Sequence, residues 1–589
     1  MRSPLLRPDS RPTAFWLALL LLAACVYVFG LDGQYAPSNG DELVYTHIAR
    51  VTAATGQWLP LASELVDTRN TKPPMLFWQA MVAGGWGQHW SVAALRTPSL
   101  LYLLLVSGAI VFCLRAITQR WREGLLAAGV FLAFLSTFRY GRPYLTSAPE
   151  TFWFSLPLFA LLWQRARRPA AGPTWPAHIL FGLGLGLGLA YKSFALIAPA
   201  AAAWWLALVA SESQPNWQAL LRHTLRVGLS ALLALGVFGL WFVLDPDPQA
   251  VWREFILGEN AAKFSDQRGW WQEAFSLSGS SIWSQLLAYA VNAGLLFFVI
   301  PGLAWLGLKR LPPWRKNWPP APHQATLLAW ALVWLLVFLF PSQRSARYVI
   351  PAMPAVAMLL ALHWRDIARG WFLPTLLFAG LALLMITRIA WIGHTLDLAS
   401  NLEFALALLA VAAGAVVIMA GLGRRDWSRG SAVLATLLVY AAFNFTVAPM
   451  DGPVGRYHAQ AIASAPQGRI AVPNGFNSQF ERFQFLLPGK RHFVPYETGA
   501  RALARRAPGV PPPTPAEELQ ELLATHDAVV WIQHDSAQVT PPCLPDCRVL
   551  GERWLLTSRH LPGEVRLDNL WYPQQWLYRR EWLLVRANP

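Results

Sequence analysis

Charge is scarce in this chain. Only 14% of its 589 residues are charged, against about 25% in soluble domains, and acids are the scarcer sign, with 32 Asp and Glu to 48 Lys and Arg. That shortage excludes a disordered segment, a coiled coil and an ordinary cytosolic enzyme. Cysteine is nearly missing, and four residues cannot build a disulfide scaffold. No internal repeat stands out. The nearest approach to low complexity, glycine at every second position from Gly182 to Gly188, lacks the Lys-Ser/Thr that a phosphate loop needs. It lies in an apolar run, where small residues serve close helix packing.

What the chain has in quantity is apolar sequence, 55% of its residues. A membrane span needs about 20 mostly apolar residues. The first candidate, Thr13 to Leu31, follows Arg2, Arg7 and Arg11 and reads as an uncleaved first helix instead of a signal peptide. Further candidates lie near 97–114, 124–139, 150–163, 177–191, 193–210, 227–244, 280–307, 325–341, 348–362, 371–390, 402–421 and 431–449, which makes about 13 spans. With the N-terminus cytoplasmic, the inner segments hold 20 Lys and Arg and five acids, so the net charge of +16 is an orientation signal. It does not point to nucleic acid, because the bases are dispersed through short loops. The expected architecture is an all-α polytopic membrane domain over residues 1–449 and an extracytoplasmic α/β domain over 450–589. The expected location is the inner (plasma) membrane, multi-pass, with the C-terminal domain in the periplasm.

Three outer segments, 32–95, 245–279 and 450–589, are too long to be turns, and long loops are usually functional. In the third, Pro515 to Ala524 reads as a helix and Ala528 to Gln533 as a strand. Cys543 and Cys547 lie there in CLPDC, where a local disulfide is open and zinc lacks a second ligand pair. Cys25 and Cys113 read as core residues of apolar spans.

The first outer loop opens with Asn39-Gly40-Asp41-Glu42-Leu43-Val44-Tyr45. Asn39 or Asp41 can cap a helix whose Val44, Ile48 and Val51 share one face, so an amphipathic interfacial helix is expected there. The plain reading of Asp41 and Glu42 is a cap and first-turn acid. Thr71-Lys72-Pro73-Pro74 then precedes a short apolar stretch, and Lys72 can simply snorkel towards headgroups. Glu150 begins a span, where an acid is costly unless it caps a helix or faces a cavity. Lys192 sits between two tightly joined spans. Glu259 and Lys263 are spaced to pair on one helix, and Arg344, Arg347 and Tyr348 precede another span. Acids, cations and aromatics gathered on one membrane face suit a lipid-linked phosphate substrate, with cations for the phosphate and a carboxylate near the reacting carbon.

In motif order over residues 14–365, the chain resembles the lipid-to-acceptor glycosyltransferases of the GT-C fold, within them the aminoarabinose transferase and protein mannosyltransferase superfamily. Asp41-Glu42 with Tyr45 resembles the family's acidic pair, and Lys72-Pro73-Pro74 its Glu-Lys-Pro-Pro signature. Pro149-Glu150 resembles its Pro-Asp pair, and Lys192 the lysine of its Thr-Lys-Gly turn. Glu259 to Phe264 resembles its Glu-His-x-x-Arg-Phe segment, Arg268 to Trp271 its Arg-Gly-x-Trp, and Tyr348 to Pro354 its Tyr-x-x-Pro-x-x-Pro. The chain departs at Val44, Thr71, Glu150, Asn260 and Lys263, where the family has Arg, Glu, Asp, His and Arg. Loss of the Glu and the His removes metal ligands, so no metal and no other cofactor is expected.

The resemblance implies inverting transfer of a sugar from polyprenyl phosphate, undecaprenyl phosphate in a bacterium, to a lipid A-type or other envelope acceptor. Asp41 is then the expected base, Glu150 orients the sugar, and Lys72, Arg344, Arg347 and Tyr348 hold the phosphate. Glu42, Tyr45, Lys192, Glu259 and Lys263 complete the candidate donor site. The rivals are a flippase for lipid-linked sugars, a protein O-mannosyltransferase and a non-enzymatic envelope-assembly protein. A flippase predicts repeat halves with discontinuous helices. The oligomeric state stays open.

Overall fold

The computed structural model describes residues 12–35, 40–66, 68–167, 173–210, 212, 216–261, 269–316, 321–475, 478–498, 513–534, 538–557, 560 and 563–587. The chain is mostly helical as far as Asp451, and a small sheet follows. Among the described residues, five helices are long and apolar enough to cross a membrane: Val92–Thr118, Trp217–Leu244, Arg369–Thr395, Asn401–Gly423 and Ser428–Asp451. Five shorter apolar ones, Thr13–Val28, Trp175–Leu189, Phe194–Val209, Pro322–Val337 and Ala346–Leu362, coincide with other expected spans.

These helices bury one stripe and expose leucine on the rest. The Thr13–Val28 helix buries Trp16, Leu19, Ala23, Val26 and Tyr27, at helical spacing, while Leu17 and Leu21 stay exposed. Leu104, Leu180, Leu232, Leu381 and Leu409 are exposed on other helices in the same way. Such surface is untenable in water over this area and ordinary against lipid. Cys25, expected in the core, stands on an exposed side of its helix, whereas Cys113 is buried.

The glycine row packs helices. A Cβ at Gly186 would lie 2.5 Å from Val237 Cβ, and one at Gly182 2.9 Å from the Ser230 carbonyl oxygen, both on the Trp217–Leu244 helix. Gly184 and Gly188 approach Trp153, Phe154 and Leu156 on the Ser147–Arg167 helix. Glycine at alternate positions thus lets two neighbours close on one helix from different sides.

The stretch expected as one span over 280–307 is broken into Ile282–Leu286, Ala288–Ala293, Gly294–Leu296 and Val299–Lys316. Gly294 has φ 63° and sits against Leu135, so no side chain fits there. Asn292 donates to the carbonyls of Ala288 and Ala346, tying the break to the segment that carries Arg347.

In the first outer loop the expected helix runs Gly40–Ala54, and Met75–Ala83 follows Lys72-Pro73-Pro74. The first is not the half-exposed interfacial helix the pattern suggested. Its polar Glu42, Thr46, His47 and Thr52 are buried along with Tyr45, Ile48 and Ala49, because the C-terminal domain covers its far side.

That domain holds five strands in the order β2-β1-β3-β5-β4. They are β1 Arg469–Asn474, β2 His492–Glu497, β3 Ala528–Ile532, β4 Cys547–Leu556 and β5 Tyr578–Arg586. β1 pairs in parallel with β2 and β3, and β5 is antiparallel to β3 and β4. Alternation sends Ile470, Val472, Val530 and Leu583 into one core and Ala471, Val529, Trp531 and Leu584 into the other. The second core is closed by the Pro515–Thr525 helix, capped by Thr514 and Glu517 at the expected place, and by Cys543 and Cys547, which are disulfide-bonded.

The first core surrounds a buried acid. Glu581 on β5 faces Arg553 on β4 and accepts from Tyr457 and Arg482, both at 2.9 Å. Burial alone would raise its carboxyl, but Arg553 and Arg482 hold it below the ordinary carboxylate range. A depressed folded value contributes stability above the unfolded value, lost as pH falls through the folded one. The domain should therefore unfold more readily in acid. Glu581→Ala, which strands Arg553, should destabilise by ~3–5 kcal/mol. Melting curves against pH for both proteins check this, and an acid limb equally steep in Glu581→Ala would contradict it.

Candidate functional site

The Gly40–Ala54 helix presents Asp41 and Tyr45, four residues apart, on one face. Around that face the bundle supplies charge from five other places. Lys72 stands in the turn before Met75–Ala83, and Glu150 in the first turn of Ser147–Arg167. Lys192 lies in the turn after Trp175–Leu189, and Arg347 in the tight Ala346–Ala352 helix. Glu259 comes from the wide π-helical segment Val251–Asn260. Wide helical turns of this kind recur at functional sites because they re-aim side chains.

Three acid–cation pairs form. Arg347 Nη1 lies 3.0 Å from Asp41 Oδ2. Lys72 Nζ lies 2.6 Å from Glu259 Oε1 and donates to the Thr71 carbonyl at 2.7 Å. Lys192 Nζ lies 3.4 Å from Glu150 Oε2 and donates to Thr146 Oγ1 at 2.9 Å. Glu150 is only 2% exposed, and such a partner offsets part of the cost of burying its charge.

Tyr45 sits amid them. Lys72 Nζ is 6.0 Å from the centre of its ring, and Phe77 and Tyr144 meet the ring edge-on. Burial first, and then the Asp41 carboxylate, push its phenol well above its usual range, with Glu259 and Glu150 adding to the push and Arg347 opposing it. The hydroxyl is therefore a permanent donor. Arg347 stacks on the Tyr140 ring at 4.7 Å, and its Nε is buried without a hydrogen-bond partner among the described residues. A cleft with about 790 Å3 of empty space, open to solvent, adjoins Glu259 and is lined by Asn70, Thr71, Arg253, Glu254 and Gly258.

Other expected residues are engaged elsewhere. Glu42 takes a two-pronged contact from Arg96, at 2.7 and 2.8 Å, and the backbone N–H of Tyr144 at 2.8 Å. Arg96 also donates to the carbonyls of Leu31 and Gly33, so Glu42 anchors the loop to the Val92–Thr118 helix. Arg344 donates to the carbonyls of Leu339 and Ser280 and stacks on Trp270. The Tyr348 ring packs on Phe338. Lys263 and Arg268, like Asn39, lie outside the described residues, and Glu259 pairs with Lys72.

Arg96, Tyr144, Thr146 and Ser193 were missed. Arg96 carried a readable signal, an ionised residue inside an apolar run. Ser193 donates at 2.8 Å to Asn260, whose amide donates to the Phe255 carbonyl, so Asn260 locks two loops together. Among the described residues no group of three His, Cys, Asp or Glu could hold a metal ion.

No family model matches the chain. It is 28% identical over 373 residues to an undecaprenyl phosphate-alpha-4-amino-4-deoxy-L-arabinose arabinosyl transferase of Sodalis glossinidius, covering 61% of this chain and 60% of that protein. It is 25% identical over 410 residues to the protein of that name from Pectobacterium carotovorum, covering 68% and 65%. The chain thus spans about 60–65% of the length of these curated relatives. The crystal structure of ArnT from Cupriavidus metallidurans bound to undecaprenyl phosphate superposes with a TM-score of 0.59 at 15% identity, covering 97% of this chain and 98% of that one. The chain has the GT-C fold. The resemblance read from its motifs is thereby borne out, and the GT-C bundle accounts for the convergence of short motifs from distant loops on one face.

Structural and chemical acids can be told apart by experiment. Glu42→Gln should lower stability by ~3–5 kcal/mol, because it strands the buried Arg96. Lys72→Met, which breaks a partly exposed pair, should cost less than about 1 kcal/mol. Melting of the detergent-solubilised proteins measures both, and equal melting of Glu42→Gln and wild type would remove Glu42 from its structural role.

Proposed function

We propose that the protein is an integral membrane glycosyltransferase. It moves a sugar from a polyprenyl-phosphate donor, undecaprenyl phosphate in a bacterium, to an envelope acceptor of the lipid A type. The observation that carries this reading is the meeting of Asp41–Arg347, Lys72–Glu259 and Lys192–Glu150 around Tyr45, at the outer end of a bundle with this fold. About 13 spans with the N-terminus inside put this site and the C-terminal domain on the periplasmic side of the inner membrane, as the basic inner loops indicate.

Transfer breaks the bond between the sugar's anomeric carbon and the phosphate oxygen and leaves polyprenyl phosphate. Charge grows on that oxygen, and Lys72 and Arg347 are the cations at hand to stabilise it. Arg347 has two calls on it, Asp41 and the incoming phosphate. When the phosphate draws the guanidinium, Asp41 is released to take the proton of an acceptor hydroxyl, which attacks the opposite face of the sugar and inverts it. For an acceptor phosphate no base is needed, and Asp41 positions it. Glu150, held by Lys192, orients the sugar or an amine on it. These steps run through side chains alone, with no metal or other cofactor.

Purified Asp41→Asn, Glu150→Gln and Lys72→Met enzymes test the assignment in a lipid-phosphate sugar transfer assay. Asp41→Asn should lose on the order of 10²–10⁴ in kcat, and Lys72→Met on the order of 10²–10³. If transfer survives all three changes, the site assignment is wrong. Mass spectrometry of envelope lipids from strains with and without the gene names the sugar and the acceptor by what goes missing.

A further inference from the structure

The helix that carries Asp41 and Tyr45 is held from behind by the C-terminal domain. His47 and Arg50 lie about 180–240° round that helix from Asp41, so they face away from the cluster of pairs. Both reach Glu481, which is fully buried. His47 Nδ1 lies 2.9 Å from Glu481 Oε2, and Arg50 donates through Nε and Nη2 to its two oxygens, at 2.5 and 3.1 Å. The other ring nitrogen of His47 accepts the backbone N–H of Glu64 at 3.1 Å. Nδ1 must then carry the proton, so a neutral imidazole donates to the carboxylate while Arg50 balances its charge. The Phe480 ring closes the contact against His47.

Glu481 is itself on a rigid mount. It belongs to the short helix Gln479–Arg482, whose start is fastened by a bond from the Gln479 N–H to the Asn474 side chain at the end of β1. The next residue, Arg482, turns the other way and binds Glu581 on β5. Charge-assisted contacts therefore leave this one short segment in both directions, from Arg482 to the sheet and from Glu481 to His47 and Arg50. On the near side the same helix is fixed by Glu42–Arg96 and meets Arg347 through Asp41.

We infer that Glu481 is a positioning residue for sugar transfer: from the C-terminal domain, through His47 and Arg50, it sets the rotation and depth of the helix that presents Asp41 and Tyr45. The inference rests on the reading of Asp41 as the acceptor-side acid. It assigns the C-terminal domain a part in the chemistry without a contact to substrate. Rotation of the helix by a fraction of a turn would move the Asp41 carboxylate by an ångström or more, and such misplacement costs on the order of 10- to 100-fold in rate.

Three full-length variants test this: Glu481→Gln, Arg50→Met and His47→Gln, the last keeping an amide where the two ring nitrogens were. Each is checked for folding by melting and gel filtration, then assayed with a polyprenyl-phosphate sugar. The expected result is a kcat loss on the order of 10- to 100-fold with KM for the donor changed less than about 3-fold. The Glu481→Gln/Arg50→Met double variant should lose no more than the worse single, as residues acting through one contact do. Folded variants that keep kcat within 2-fold of wild type, a loss confined to KM, or losses that multiply in the double variant would overturn the inference. So would failure of all three variants to fold, which would make the contact structural only. Asp41→Asn, run in parallel, separates the two readings: full activity there sinks the assignment of Asp41, whereas its loss beside active Glu481 variants sinks the positioning role alone.

Discussion

An ionised group at the edge of a lipid bilayer must be matched by one of opposite sign, and the face of this protein that carries its long loops is organised by that requirement. Desolvating a lone carboxylate costs several kcal/mol even after relaxation. Asp41, Glu42, Glu150, Glu259 and Glu481 come from four segments far apart in the chain, and each meets a cation from another segment. The pairs therefore do two jobs at once. They let charge exist where apolar helices end, and they fasten outer loops that would otherwise have little to hold them.

The pairs differ in how much freedom they leave. Glu42 is saturated by Arg96 and a backbone N–H and has nothing left to offer a substrate. Asp41, its neighbour, meets an arginine whose Nε is still without a partner among the described residues. Adjacent acids on one helix point about 100° apart. One can thus be spent on holding the helix while the other stays exchangeable. The same division separates Arg96, sunk into carbonyls and carboxylate, from Lys72, whose partner Glu259 lines a cleft.

Much of this was legible in the sequence, for a physical reason. In a chain so poor in charge, an acid or lysine beside a long apolar run is conspicuous, and Asp41, Lys72, Glu150, Lys192 and Arg347 all announce themselves that way. Their partners were not legible, because pairing across hundreds of residues depends on how helices stack. Local spacing offers only Lys263 to Glu259, whereas the fold also brings up Lys72 from 187 residues away. The sheet domain showed its helix and β3 through a helix-like stretch and an apolar run, but nothing in the sequence singled out Glu481. The break in 280–307 was hidden because a single glycine among apolar residues reads as span until the close approach of Leu135 is known.

If Lys192 and Glu150 serve transfer as proposed, the glycine row makes the membrane interior part of the reaction's geometry. The Trp175–Leu189 helix is thin on two sides, and its end delivers Lys192 to Glu150. Gly188 is one helical turn below that lysine and Gly182 roughly 15 Å below it. A single added methyl group at any of these positions would wedge the helix from its neighbours and lift or tilt its tip. Damage done deep in the hydrocarbon would then be felt at the water's edge as a misplaced cation, and a genetic screen would score it as an active-site lesion.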